Sequence, residues 1–262
     1  MLCYHAYMQY THNMKTLYEH QVRRGSSKLV IFVHGFAGSP FQFDEFIQVV
    51  DEHQFDYVTI WVPGHGGTTK DFAAVTTKDW LYAATEVIQD NRAHYETIVV
   101  VAHSMGCLLT MQALQTLPIE GLIFWAPAIR TALSVKQLGT SIEIVFKKPD
   151  QLDPFVKRNA SRMGVPVPTL LEAPLWTPRL ISFLSIMART RKYVATINCP
   201  VLVIASRNDE TVPYSVLPVF QKKVKPELLS VLSLTQSTHA FFDDSEILLV
   251  QDATRSFLKQ FK

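Results

Sequence analysis

Six short runs of apolar, largely β-branched residues punctuate the chain: 29–33 (LVIFV), 57–62 (YVTIWV), 98–101 (IVVV), 122–125 (LIFW), 201–204 (VLVI) and 229–232 (LSVL). Most are apolar throughout and do not alternate, which predicts parallel strands covered on both faces. Segments of helical period lie between them. Residues 79–92 put Trp80, Ala84, Val87 and Ile88 on one face and leave Glu86, Asp90 and Arg92 for solvent. Residues 105–117 are apolar almost all round, which predicts a buried helix. This alternation of strand and helix predicts a mostly parallel, doubly wound α/β sheet with right-handed crossovers.

Residues 126–200 break the rhythm, being far longer than one crossover helix needs. Six of the 14 prolines fall between Pro149 and Pro178, which argues for turns and short helices. Thr177-Pro178 predicts an N-cap with proline at the first helical position. The helix it opens carries Leu180, Ile181, Phe183, Leu184 and Met187 on a wide apolar face, with Arg189, Arg191 and Lys192 suited to its C-terminal end. The expected organisation is therefore a core domain of residues 1–129 and 196–262, with 130–195 inserted as a lid. No internal repeat, low-complexity tract or flexible linker interrupts it.

Composition narrows the class. With 48% hydrophobic residues among 262, the chain can build one sizeable core. Lys plus Arg (25) nearly balances Asp plus Glu (23), and no basic stripe stands out, so neither nucleic acid nor a stable membrane association is expected. Cys3, Cys107 and Cys199 lie far apart and are odd in number, which argues against a disulfide framework or zinc site and for a reducing compartment. The start of the chain, Met1-Leu2-Cys3-Tyr4-His5-Ala6, lacks the basic-then-apolar pattern of a signal peptide, and no 18-residue apolar run occurs. A soluble, cytoplasmic protein is the expectation; oligomeric state is not legible.

Glycine placement locates the chemistry. Six of the ten glycines sit in His34-Gly35-Phe36-Ala37-Gly38, Pro63-Gly64-His65-Gly66-Gly67 and Ala102-His103-Ser104-Met105-Gly106, each directly after a predicted strand. In an open α/β sheet, loops at the carboxyl ends of the strands converge on the ligand crevice. Ser104, between the 98–101 strand and the buried helix, sits where a sharp turn pushes its Oγ outward. Such a turn tolerates only small residues two positions away, here Ala102 and Gly106. Read alone, Ser104 could equally be a plain helix N-cap.

A serine nucleophile needs a base and an acid, in chain order Ser, Asp or Glu, His for this architecture. Asp209 follows the 201–204 strand, and His239 follows the next one, so both reach the same sheet edge. Glu210 is the competing acid. Met105 N–H, at the start of the helix, and Phe36 N–H, in the loop after the first run, are placed to form an oxyanion hole. His34 and His65 read as loop braces and His103 as a packing neighbour. A metal site from these three histidines lacks any carboxylate or thiolate at ligand spacing, so neither metal nor cofactor is expected. Trp176, Phe183 and Met187, in the apolar lid segment, are candidate substrate contacts.

As a set, His34-Gly35-Phe36-Ala37-Gly38, Pro63-Gly64-His65-Gly66, His103-Ser104-Met105-Gly106, Asn208-Asp209-Glu210-Thr211-Val212-Pro213 and His239 resemble the α/β-hydrolase superfamily over residues 22–261. The likeness is greatest to bacterial carboxylesterases and monoacylglycerol lipases. It implies Ser104 as nucleophile, His239 as base, Asp209 as its orienting acid, Phe36 and Met105 as oxyanion donors, and a lid after the sixth strand of that fold. Ala102, where glycine is common, is the main departure. The expected activity is hydrolysis of small-molecule carboxylic esters of short to medium acyl length, monoacylglycerols among the candidates, through an acyl-enzyme. The alternatives are a proline iminopeptidase-like amide hydrolase, or a ligand-binding receptor on the same fold with little turnover.

Overall fold

The computed structural model describes residues 17–131, 162–166, 168–169 and 171–261. The expectations for the N-terminal residues, for Cys3 and for lid residues 132–161 fall outside these.

Among the described residues, seven strands form one sheet: β1 (Leu17–Val22), β2 (Lys28–Val33), β3 (Asp56–Trp61), β4 (Thr97–His103), β5 (Gly121–Trp125), β6 (Val201–Ser206) and β7 (Leu229–Leu234). Their spatial order is β1-β3-β2-β4-β5-β6-β7. All neighbours are parallel except β1 and β3, which pair antiparallel, with a register shift between Tyr18 and Gln21. The six apolar runs are thus six of these strands. Residues 29–33 of β2 and 98–102 of β4 are completely buried, as near-continuous apolar strands at the centre of a two-sided sheet should be. The departure is β7, whose residues are mostly exposed or half-buried, Val231 among them. Among the described residues it is an edge strand, paired with β6 alone.

The flanking helices are α1 (Asp44–Glu52), α2 (Thr69–Ala74), α3 (Thr77–Arg92), α4 (Met105–Ala113), α5 (Ala173–Thr190), α6 (Leu217–Lys223) and α7 (Ile247–Leu258). They pack in separate groups. Helices α1 and α7 lie together, joined by Gln251 Nε2 donating to Gln48 Oε1 at 2.9 Å and by the Arg255–Glu52 ion pair; α5 packs against α2, α3 and α4. Helix α3 starts where its sequence dictates. Thr76 and Asp79 form a reciprocal capping box, after which Trp80, Ala84, Val87 and Ile88 turn inward. Helix α4 is buried almost all round as expected, but ends at Ala113.

Helix α5 begins a turn earlier than Thr177-Pro178 predicts. Its cap is Glu172, Pro174 lies in the first turn, and Pro178 falls inside the helix. The overlooked signal is Thr169-x-x-Glu172, where the glutamate accepts from Thr169 N and Oγ1 at 3.1 and 2.9 Å. The inserted segment lies between β5 and β6 of the described sheet. Its helix also exposes Leu180, Ile181 and Leu184, with Leu171 just before it almost fully exposed. Of the apolar face predicted for this helix, Phe183 alone is buried. No helix of the described residues is long and apolar enough to cross a membrane.

Candidate active site

Ser104 stands between β4 and α4 with φ 51° and ψ −113°, a conformation that costs a residue carrying a Cβ. Its N–H donates to Trp125 O at 3.0 Å, and its carbonyl accepts from Cys107 N at 3.2 Å, so the turn is held from both sides. The small neighbour is needed: a Cβ on Gly106 would lie 2.1 Å from the Val33 carbonyl oxygen. Ser104 holds the N-cap position of α4, but no side-chain cap bond ties it to its own helix, and its Oγ meets His239 instead.

The structure brings the three separated sequence candidates into one hydrogen-bonded chain. His239 Nδ1 lies 3.0 Å from Asp209 Oδ2, and His239 Nε2 lies 3.0 Å from Ser104 Oγ. An ionised Asp209 can only accept, so Nδ1 carries the proton and Nε2 is left to accept from the serine hydroxyl. The Asp209 carboxylate is almost wholly buried, and its Oδ1 takes the Thr211 and Val212 N–H groups, both at 2.8 Å. Burial alone would lower the His239 pKa. The Asp209 charge and hydrogen bond, helped by Glu210, outweigh it and raise the pKa above its ordinary 6.5.

Glu210, the competing acid, does something else. Its Oε2 accepts the His239 backbone N–H at 3.1 Å, while the His239 carbonyl accepts from His103 Nε2 at 2.9 Å. His103 is therefore more than a packing neighbour. Its ring lies 4.8 Å from the His239 ring and 4.1 Å from Trp125, and Gln42 sits 3.2 Å from its other nitrogen. Burial, then the nearby His239, keep the His103 pKa well below 6.5. The loop preceding His239 hangs on Glu246, whose carboxylate accepts from Thr235 N, Gln236 N, Ser237 N and the Thr235 and Ser237 hydroxyls. Burial opposes ionisation, but these donors prevail and bring the Glu246 pKa down to about 2.

The His34 and His65 rings brace the loop after β2, as expected. Val62 N–H donates to His34 Nε2, and Ala37 N–H donates to His65 Nε2, both at 3.0 Å. Their Nδ1–H groups donate to Gly35 O and Val62 O, each at 2.9 Å. Burial pushes the His65 pKa down to about 4, and burial with the neighbouring His65 holds His34 well below 6.5. With Ala37 N–H taken by His65 and Gly38 N–H by Gly35 O, the Phe36 N–H has no acceptor among the described residues. Met105 N–H belongs to the first turn of α4, where backbone donors lack helical partners.

Phe36 also anchors an aromatic cluster. Ring centroids of Phe72, Phe183, Trp80 and Trp176 lie 5.2, 5.3, 6.0 and 6.0 Å from its own. Trp176 and Phe183 of α5 thus pack directly on the loop that carries Phe36, and Met187 packs against the core while remaining half-exposed. Sequence reasoning missed His103, Gln42, the backbone role of Glu210 and the anchor Glu246. His103, Glu210 and Glu246 act on main-chain groups, and Gln42 on a ring 61 positions away, contacts for which spacing carries no signal. No group of three or more His, Cys, Asp or Glu able to hold a metal ion occurs among the described residues.

A family model for the serine aminopeptidases S33 (Hydrolase_4) matches residues 25–246. The chain is 23% identical over 232 residues to a thermostable monoacylglycerol lipase of Bacillus sp. (strain H-257), covering 88% of this chain and 90% of that one. It is 19% identical over 239 residues to a carboxylesterase of Bacillus subtilis (strain 168), covering 90% and 94%. The structure of a monoacylglycerol lipase from Paleococcus ferrophilus superposes with a TM-score of 0.70 at 16% identity, covering 95% of this chain and all of the other. Fold, family model and relatives agree: the chain belongs to the S33 serine aminopeptidase family of α/β hydrolases, as an enzyme of the esterase and lipase type.

Proposed function

We propose that the protein hydrolyses carboxylic esters of short to medium acyl chains, monoacylglycerols among them, through a Ser104 acyl-enzyme. The observation that carries this reading is the unbroken chain Asp209–His239–Ser104, with 3.0 Å at both links and the serine at a helix start. Ser104 Oγ attacks the acyl carbonyl as His239 Nε2 takes its proton, and Asp209 holds the imidazole in the tautomer this needs. The oxyanion is held by Phe36 N–H and Met105 N–H, the latter helped by the α4 dipole. His239 then protonates the departing alcohol, and water repeats the sequence on the acyl-enzyme. No step calls on a cofactor or metal. Residues 130–195 act as the lid, and Trp176, Phe183 and Met187 line the acyl side beside Phe36.

An amide-hydrolysing reading has the family's description in its favour. A substrate amine would need a free carboxylate nearby. The 130–195 insertion carries few carboxylates, Glu143, Asp150, Asp153 and Glu172, and Glu172 is committed to Thr169. Turnover of p-nitrophenyl esters against aminoacyl anilides separates the two: esters should be favoured strongly. Anilides turned over faster than esters would reverse the assignment. No turnover of either by a well-folded protein would favour the receptor reading.

A further inference from the structure

The oxyanion loop has a shape it would not keep unaided. Ala37 sits at φ 55°, the left-handed region that disfavours any residue with a Cβ, so something outside the loop must hold it there. Its N–H is fixed by His65 Nε2 at 3.0 Å, and its carbonyl accepts from Gly164 N–H at 2.8 Å. Gly164 lies within the inserted segment, ahead of α5, and this stretch makes further attachments. The Gly164 carbonyl accepts from Gly66 N at 2.5 Å, and the Arg162 carbonyl accepts from Ser39 Oγ at 3.0 Å. The Arg162 guanidinium reaches Ala240 O and Glu45 Oε1, each at 3.4 Å, next to His239. Gly164 and Val165 are buried.

The fit at Gly164 leaves no slack. A Cβ there would lie 2.0 Å from the Gly38 carbonyl oxygen and 2.8 Å from the Trp61 ring. The first of these is backbone and cannot rotate aside. The loop it presses on reaches the nucleophile itself, since a Cβ on Gly35 would come within 2.9 Å of the Ser104 Cβ.

We infer that residues 162–165 form a fixed brace for the oxyanion hole, with Gly164 and Arg162 as positioning residues that set where the Phe36 N–H points. The inference rests on the proposed role of Phe36 as an oxyanion donor. It makes this part of the inserted segment belong to the catalytic frame. Ala37, clamped at N–H and carbonyl alike, transmits its position to the peptide group one residue back.

The test compares wild type with Gly164→Ala and with Ser39→Ala, which removes one attachment without adding bulk. Fluorophosphonate labelling of Ser104 is checked first in all three. An alkylboronic acid, whose adduct with the serine is tetrahedral and anionic, then reports the hole separately from substrate binding. Loss of one oxyanion donor costs about 10²–10³ in kcat, so a displaced one should cost about 10–100-fold in Gly164→Ala and a few-fold in Ser39→Ala. KM should change little, and boronate affinity should weaken in step with kcat. A purely structural role would lower Tm and leave kcat and boronate affinity alone. If Ser104 is labelled but both variants keep kcat and boronate affinity within twofold, the brace is refuted and the hydrolase reading stands. If wild-type Ser104 is neither labelled nor inhibited, the hydrolase reading fails and takes the brace with it. Should Gly164→Ala not fold, Ser39→Ala alone decides.

Discussion

At His239 two opposing effects meet: burial favours the neutral ring, and the Asp209 carboxylate favours the imidazolium more strongly. The base works only when neutral, so activity should fall as pH drops through a value above 6.5, giving an acid limb higher than a free histidine would show. Asp209→Asn removes the charge that raises the pKa and leaves desolvation dominant. A kcat–pH profile should therefore show this limb moved to lower pH, with kcat down by about 10³–10⁴. Glu210→Gln keeps the tautomer and should move the limb the same way but less, with a far smaller loss. The reverse ranking would mean that the acid is misassigned. His103→Phe keeps a ring against Trp125 but leaves the half-buried His239 carbonyl without its donor, at a cost of about 1 kcal/mol or more. Calorimetry should register this as a lower Tm, and an unchanged Tm would deny His103 its anchoring role.

Among the elements, the loop from β7 to α7 is the most informative, because one carboxylate holds its first three residues. The Glu246 pKa of about 2 lies below its ordinary 4.5, so the ionised form stabilises the fold. That contribution is complete above about 4.5 and is lost as pH falls towards 2. Glu246→Gln should accordingly lower Tm at pH 7, and the gap to wild type should narrow steadily below pH 4.5. A gap independent of pH would show that hydrogen-bond geometry, and not charge, does the holding. Elements also show where sequence stops being readable. Strands β2 and β4, buried on both faces, announce themselves by unbroken apolar runs. Strand β1 reads LYEHQV, too polar to stand out, and it exists as an antiparallel addition to β3. The start of α5 was obscured by two prolines, and only the Thr169–Glu172 pairing resolves which one opens the helix.

For the whole molecule, the order Ser, Asp, His along the chain becomes a line in space because β4, β6 and β7 are parallel and end on the same edge. That much was legible from strand spacing, since in a parallel sheet the residue after each strand must surface at one side. The brace at residues 162–165 was not, because nothing local marks a glycine for a partner at Ala37. Acyl specificity belongs to this scale too. Each methylene buried beside Phe36, Trp176 and Phe183 contributes about 0.8 kcal/mol, close to fourfold in kcat/KM. A p-nitrophenyl ester series from C2 to C16 should thus peak at about C4–C8. A flat profile or a C16 maximum would contradict a bounded pocket. Leu171, Leu180, Ile181 and Leu184 are exposed, so this optimum rests on the pocket walls and not on a shortage of outward apolar surface. Phe183→Ala should move it to longer chains if that ring closes the pocket, and should only lower Tm if the ring serves packing. The central claim, that Ser104 is an activated nucleophile, is tested most directly by treating wild type and Ser104→Ala with a fluorophosphonate and mapping the adduct by peptide mass. The account predicts one equivalent of label on Ser104, abolished in the variant together with esterase activity by about 10⁴-fold or more. Label on another residue, or a variant keeping a tenth of wild-type activity, would contradict it.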